Sequence, residues 1–294
     1  MTQTTDKLRR KIRSAAEIKS VVRTMKNWAA VNIRPYEQAV QSLTDYYRTV
    51  ELGLIACLRQ FGPELLDHRK RYISRPVGVV VFGSDQGMVG QFNEQLADFV
   101  LEELKAETEE IRVWPVGERV CSHWMGSRLQ LEPAQRVPDS VLNIAPLIGQ
   151  VLFAIEQQRA KGNLGQVFLF HNRPLPGSGY LPVRQCLLPF DQVWAQDLRS
   201  KTWPTAVLPQ VREPAEATFA ALVREYLFIS LFRACAESLA SENACRLAAM
   251  QGAEDNIKKL QTQLQADFNQ TRQNGIDEEL FDVIAGVEAV NQTA

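Results

Sequence analysis

From Leu8 onward, alternate steps of four and three residues land on Leu8, Ile12, Ala15, Lys19, Val22, Lys26, Ala29, Ile33, Tyr36, Val40, Leu43, Tyr47, Val50, Leu54 and Cys57. All but the two lysines are apolar or aromatic. A seam with this 3.5-residue spacing is the pattern of a coiled coil, because it keeps one narrow stripe turned toward a partner helix. At 1.5 Å per residue, about fifty such residues make a rod of roughly 75 Å, more than a compact domain of this chain length could cover. One residue contradicts the pattern. Pro35 removes a backbone hydrogen bond and costs on the order of 3 kcal/mol inside a helix, which predicts a kink or a short break there.

The other end of the chain behaves similarly. From Pro214 to Val290 no further proline occurs, and Ala, Leu, Glu, Gln and Arg dominate, so the segment reads as one very long helix. Phe219 to Met250 is apolar around much of its circumference and so calls for more than one neighbour. Beyond it the apolar residues thin to a stripe through Ile257, Leu260, Leu264 and Phe268, then Leu280, Val283, Val287 and Val290. Two long seams at opposite ends predict an antiparallel pair. Charge agrees: residues 1–36 carry nine Lys and Arg against Asp6 and Glu17, while residues 254–290 carry eight Asp and Glu against Lys258, Lys259 and Arg272.

Between the ends the sequence changes type. Val77 to Phe82 is a β-branched run entering a glycine loop. A helical pattern follows from Gln91 to Glu107, then a strand at Arg112 to Val116, a short helix near Cys121, a helix from Val141 to Arg159 and a strand at Val167 to Phe170. Alternating strands and helices are the α/β signature. Proline and glycine then dominate from Pro174 to Pro204, predicting turns with an edge strand at Val183 to Leu188. The expected fold is therefore α/β: a long antiparallel coiled coil of N- and C-terminal helices plus a doubly wound α/β domain. The expected boundaries are residues 1–60 for the first helix, 75–205 for the α/β domain and 212–290 for the last helix.

Chemistry is harder to find. A net charge of −1 gives no global pull toward nucleic acid or anionic lipid, and the basic N-terminal helix lacks interleaved aromatics, so no nucleic-acid partner is expected. Five scattered cysteines without a CxxC pair argue against a disulfide framework, and the richest apolar stretch, Tyr226 to Phe232, is too short to span a membrane. Nor does the basic N-terminus resemble a secretory or transit leader. The loop from Gly83 to Gly90 has the glycines of a phosphate cradle, yet it lacks the Lys-Ser/Thr of a P-loop and carries Asp85, so it reads better as a tight turn. Cys121, Ser122 and His123 read as packing, and His68 and His171 have no partner at ligand spacing. No cofactor, metal or catalytic constellation is expected. Lys19 and Lys26 on the seam have two readings, solvated stems or contacts to an acidic partner surface.

The run Leu239 to Arg246, continued by Ala249, Met250, Ala253, Asp255, Asn256, Asn269, Arg272, Gln273 and Ile276, closely resembles the C-terminal signature of the gamma subunit of F-type ATP synthases. Lys11, Ile12, Met25, Ala29 and Ala30 fit the family's first helix, and Ser84, Asp85, Gly87, Gly90 and Asn93 fit its first loop. The resemblance implies a non-catalytic rotor shaft, a coiled coil set in a hexamer of alpha and beta subunits, which couples ion movement to ATP synthesis or hydrolysis. It further implies an epsilon subunit and a membrane c-ring as partners, and a peripheral position on the cytoplasmic face of a bacterial inner membrane. Carried onto this sequence, Arg272 and Gln273 fall where the family meets the acidic catch loop of a beta subunit, and Met25, Lys26 and Arg246 fall in the coupling region. Ala15 to Val22, Gln86, Val89 and Asp277 depart from the family pattern, and the departures look similar to alternative, in some cases sodium-linked, bacterial enzymes. The competing reading is an α/β nucleotide-binding enzyme with helical extensions, using the Gly83 to Gly90 loop.

Overall fold

The structure is a computed structural model that describes residues 2–62, 65, 75–175, 179–190, 192–211 and 214–292. Two helices dominate it: α1, Thr2–Phe61, and α6, Ala215–Gln292. Between them lie strands β1 (Val77–Phe82), β2 (Ile111–Val116), β3 (Leu129–Leu131), β4 (Val167–Leu175) and β5 (Gly179–Leu188), with helices α2 (Phe92–Glu103), α3 (Glu118–Cys121), α4 (Ile144–Ala160) and α5 (Gln192–Ser200). The sheet order is β3-β2-β1-β4-β5, parallel except for β5, which runs antiparallel to β4.

The apolar run of β1 follows from this topology. With a neighbour on each side and helices on both faces, a central parallel strand has no wet face. Val77, Val79 and Val81 pack with Leu96, Ala97 and Val100 of α2 and with Trp124, whereas Val80 and Phe82 pack with Ile148 and Val151 of α4 and Leu231 and Leu239 of α6. This is the doubly wound arrangement that the alternation of elements predicts.

The chain divides into two compact units, one formed by α1 up to Ala29 with α6 from Leu247 onward, the other by Ala30–Arg246. Along α1 every seam position from Leu8 to Cys57 is buried or half-buried. In the second unit Tyr36 joins the α4 side of the sheet, and Val50, Leu54 and Cys57 join a cluster with Ala195 and Leu198 of α5 and Phe219, Tyr226 and Ile229 of α6.

Four differences from the sequence reading have physical causes. Helix α1 runs through Pro35 unbroken, so the short break is not there. Pro35 is exposed, and Val31, whose carbonyl it leaves unpaired, has 71% of its surface exposed, so water can take the lost bond. Strands β4 and β5 extend well into the proline-rich stretch because β1 pairs only with Val167 to Phe170. Past that point the hairpin is a two-stranded ribbon, where Pro174 and Pro182 withdraw no bond from a central ladder. Strand β3 lies where the sequence predicts no element, and helix α5 lies within the stretch it predicts as turns; both are short elements, held by Leu129, Ala195 and Leu198.

Candidate functional site

In the first unit the seam of α1 faces a seam of the same period on α6: Met250, Glu254, Ile257, Gln261, Leu264 and Phe268 are all buried or half-buried. The two seam lysines find polar seam partners. Lys26 forms an ion pair with Glu254, and Lys19 Nζ donates to Gln261 Oε1 at 3.1 Å. Farther along, the Arg9 guanidinium lies 5.7 Å from the centre of the Phe268 ring. As α1 advances from Arg9 to Lys26, α6 retreats from Phe268 to Glu254, which is the antiparallel register expected. Polar residues at seam positions fix such a register, because a slip would leave them facing apolar side chains. The hydrogen bond from Lys26 holds the Glu254 carboxyl below its usual range.

This register corrects the expected stripe. Leu260 is 48% exposed because the heptad step places Ile257 and Gln261 at the contact instead. Leu280 and Val283 are 57% and 64% exposed. At equal rise per residue, the start of α1 comes level with about residue 277 of α6, so these side chains lie beyond their would-be partner. Val287 and Val290 lie outside the residues whose side chains are described. The charge complement is likewise narrower than expected: among the described residues Lys26 and Glu254 form the interhelical ion pair, while Arg9 bonds Asp6 on its own helix.

Arg272 and Gln273 are exposed, and Arg272 has no ion-pair partner among the described residues. Met25 is half-buried beside the seam. Exposed apolar side chains flank the same unit: Ile18, Val21 and Trp28 on α1, and Ile276, Leu280 and Phe281 on α6. Large apolar residues exposed at helical spacing, Ile18 with Val21 and Ile276 with Leu280, mark faces that associate.

In the second unit the signature block of α6 closes the sheet. The switch point of a doubly wound sheet, where ligands usually bind, is here the crevice at the carboxyl ends of β1 and β4. Ser238 Oγ donates to the carbonyl of Phe82 at 2.9 Å, and Ser241 Oγ donates to the carbonyl of Asn172 at 3.0 Å. Asn172 Nδ2 in turn donates to the carbonyl of Phe92 at 3.2 Å. Helix α6 therefore fills the place a nucleotide would take.

The glycine loop is also committed internally. Asn93 accepts from the Ser84 amide at 3.0 Å and donates to Ser84 Oγ at 2.8 Å. Asp85 accepts from the amides of Glu118 at 3.0 Å and Val137 at 2.8 Å. Gly117, at φ 99°, lets its backbone cross Ser84, since a Cβ there would sit 2.7 Å from the Ser84 nitrogen. Cys121 is half-buried and its thiol pKa is raised by burial, while His123 beside it is exposed. His68 lies outside the described residues.

Arg246 is buried and its guanidinium meets Glu242 at 2.7 Å. Burial pushes the Glu242 carboxyl up despite that partner, and Glu242 Oε2 and Arg246 Nε have no hydrogen-bond partner among the described residues, so the pair is costly to hold. Sequence reasoning singled out Arg246 but not Glu242, although the four-residue spacing on a helix carries the signal. His171, read as partnerless, is joined by Glu237, whose carboxylate lies 2.8 Å from its Nε2. The two are 66 residues apart, beyond the reach of any local pattern.

The family model for ATP synthase matches residues 4–290. The ATP synthase gamma chain of Methylococcus capsulatus is 27% identical over 96% of this chain and 98% of its own length. That of Polynucleobacter asymbioticus is 25% identical over 97% and 99%. Among solved structures, the rotor of the Euglena gracilis mitochondrial ATP synthase superposes with a TM-score of 0.62 at 17% identity, covering 94% of this chain and 100% of that one. The assembly of that organism's OSCP, F1 and c-ring contains a chain with a TM-score of 0.66 at 19% identity, covering 99% and 95%. A seam-paired pair of terminal helices, a doubly wound sheet closed by the signature block, and a match over nearly the whole length place this chain in the ATP synthase gamma-chain family.

Proposed function

We propose that this chain is the central shaft of a rotary F-type ATP synthase, turning within a hexamer of alternating alpha and beta subunits and coupling ion movement to ATP synthesis or hydrolysis. The observation that carries this reading is the seam-paired helical unit: Lys19 and Lys26 set its register from within, while Arg272, Gln273 and the apolar residues Ile18, Val21 and Trp28 face outward. A shaft works by touching successive conformations of a partner differently, since only differential contact shifts an equilibrium. It needs no catalytic group of its own, and the closed switch-point crevice fits that role.

Arg272 and Gln273 serve as the catch for an acidic loop of a beta subunit. A charge-assisted arginine contact is directional and reversible, unlike an apolar weld. Met25, Lys26 and Arg246 support coupling; Lys26 and Arg246 do so as the partners of Glu254 and Glu242. The epsilon subunit and the membrane c-ring complete the set of partners, residues 75–205 form the globular domain between the helices of 1–60 and 212–290, and the assembly sits on the cytoplasmic face of a bacterial inner membrane. No described helix is long and apolar enough to cross a membrane. The departures at Ala15 to Val22, Gln86, Val89 and Asp277 fit the alternative, in some cases sodium-linked, group of enzymes.

The test is the double substitution Arg272→Ala and Gln273→Ala in the assembled complex. Coupled ATP turnover falls while the melting of the isolated chain stays unchanged. Undiminished turnover would remove these two residues as the catch.

A further inference from the structure

On the α/β unit, a small cleft opens between β4, β5, α1 and α6. It has a volume of about 40 Å³ and is lined by Tyr47, His171, Arg173, Gln185, Arg233 and Glu237, with Ser230. That is space for about three water molecules, which suits a small ion and excludes a nucleotide. At its base the buried Glu237 gathers three donors: His171 Nε2 at 2.8 Å and Arg173 Nε at 3.2 Å on Oε2, and Arg233 Nε at 2.7 Å on Oε1.

The stoichiometry of that cluster is unequal. Two guanidiniums share one carboxylate, and both bond it through Nε, which leaves their terminal nitrogens without a protein partner among the described residues. His171 is held neutral, because burial outweighs the pull of Glu237 on its proton. A carboxylate cannot donate, so the proton of neutral His171 sits on Nε2. The cluster therefore carries one net positive charge. Glu51, whose charge acts on the lining Tyr47, is already engaged by Lys201 Nζ at 2.6 Å. Two buried polar atoms of the lining have no partner among the described residues, Ser230 Oγ and His171 Nδ1. Both residues are more than nine-tenths buried. Unsatisfied groups at such depth are rare in folded proteins and call for an occupant.

We propose that this cleft is a binding site for a small oxyanion of the inorganic phosphate type, clamped by the terminal guanidinium nitrogens of Arg173 and Arg233. Two guanidinium forks, one from β4 and one from α6, match the oxygens of a tetrahedral anion better than an ammonium would. Ser230 supplies a neutral donor, and His171 Nδ1 supplies an acceptor that a protonated phosphate oxygen satisfies and sulfate does not. None of its lining residues belongs to the helical pair on which the shaft reading rests, so the two stand or fall separately.

Calorimetric titration of the isolated full-length chain with sodium phosphate tests the proposal without interference from catalytic nucleotide sites. Saturable heat at millimolar phosphate is expected, with sodium chloride at the same ionic strength giving none. Arg173→Gln and Arg233→Gln should each weaken binding roughly tenfold or more, as loss of a charged hydrogen bond implies. Both arginines are half-exposed, so each variant should still fold, with a lower melting temperature from the lost bond to Glu237, and a melt confirms that it is folded at the titration temperature. Absence of saturable heat, an equal response to chloride, or binding unaffected by either substitution overturns the proposal.

Discussion

Glu237 and His171 govern how the α/β unit responds to acid. Burial alone would raise the Glu237 carboxyl, but the bonds from His171 and Arg233 outweigh it and bring the pKa down from 4.5 to about 2. Its stabilising effect is therefore complete above pH 4.5 and is lost as pH falls toward 2. His171 is pushed below its ordinary 6.5 by burial, so below that pH the unfolded chain takes up a proton that the folded chain refuses. Both groups erode the fold in the same direction. Melting temperature should hold steady above pH 6.5, decline below it, and decline more steeply below 4.5. Glu237→Gln should cost roughly 2 kcal/mol at neutral pH by leaving two arginines without their carboxylate, and should flatten the branch below pH 4.5. Thermal melts by circular dichroism from pH 3 to 8 decide the matter; a steep low-pH branch surviving in the variant would contradict the assignment. None of this was legible in sequence. Lys26 and Lys19 stood out as polar intrusions in an apolar seam, but their answers, Glu254 and Gln261, become visible only once the antiparallel register is known.

At the scale of elements, the helical register makes a sharp claim about two neighbouring leucines. Leu264 is buried in the seam and Leu260 is 48% exposed, though the sequence stripe treated them alike. Leu264→Ala should destabilise the paired helices by about 2 to 3 kcal/mol, whereas Leu260→Ala should stay within about 0.5 kcal/mol of the parent. Denaturant melts of the full-length chain compare them, and equal losses would show the register to be wrong. Pro35 gives a second case. Because α1 passes through it unbroken with that face wet, Pro35→Ala should restore the missing bond to Val31 and stabilise by about 1 to 3 kcal/mol. A drop in stability would mean the proline holds a bend the fold requires. The long helices and the central strands were readable because periodicity survives in any environment. The β4–β5 ribbon, β3 and α5 were not, because each depends on what lies next to it: a free ribbon edge for Pro174 and Pro182, and a neighbouring helix for Ala195 and Leu198.

At the scale of the whole molecule, the family signature takes on a structural meaning. Ser238 and Ser241 bind α6 to the ends of β1 and β4, Glu242 and Arg246 bury a charged pair one turn on, and the same helix continues to Glu254 in the seam and to the exposed Arg272. One element thus carries the closed crevice, the register and the exposed Arg272 and Gln273 that we propose as the catch. The doubly wound sheet gives up the ligand site its topology usually provides, and α6 takes that space. The work of such a chain is contact with other chains. The measurement that tests this most directly is co-expression with the alpha and beta subunits of an F-type ATP synthase from the same organism, followed by purification and an assay of ATP hydrolysis. The account predicts a complex holding a single copy of this chain, with sustained hydrolysis that disappears when the chain is left out. A hexamer that hydrolyses ATP equally well without it, or that never retains it, would contradict the shaft.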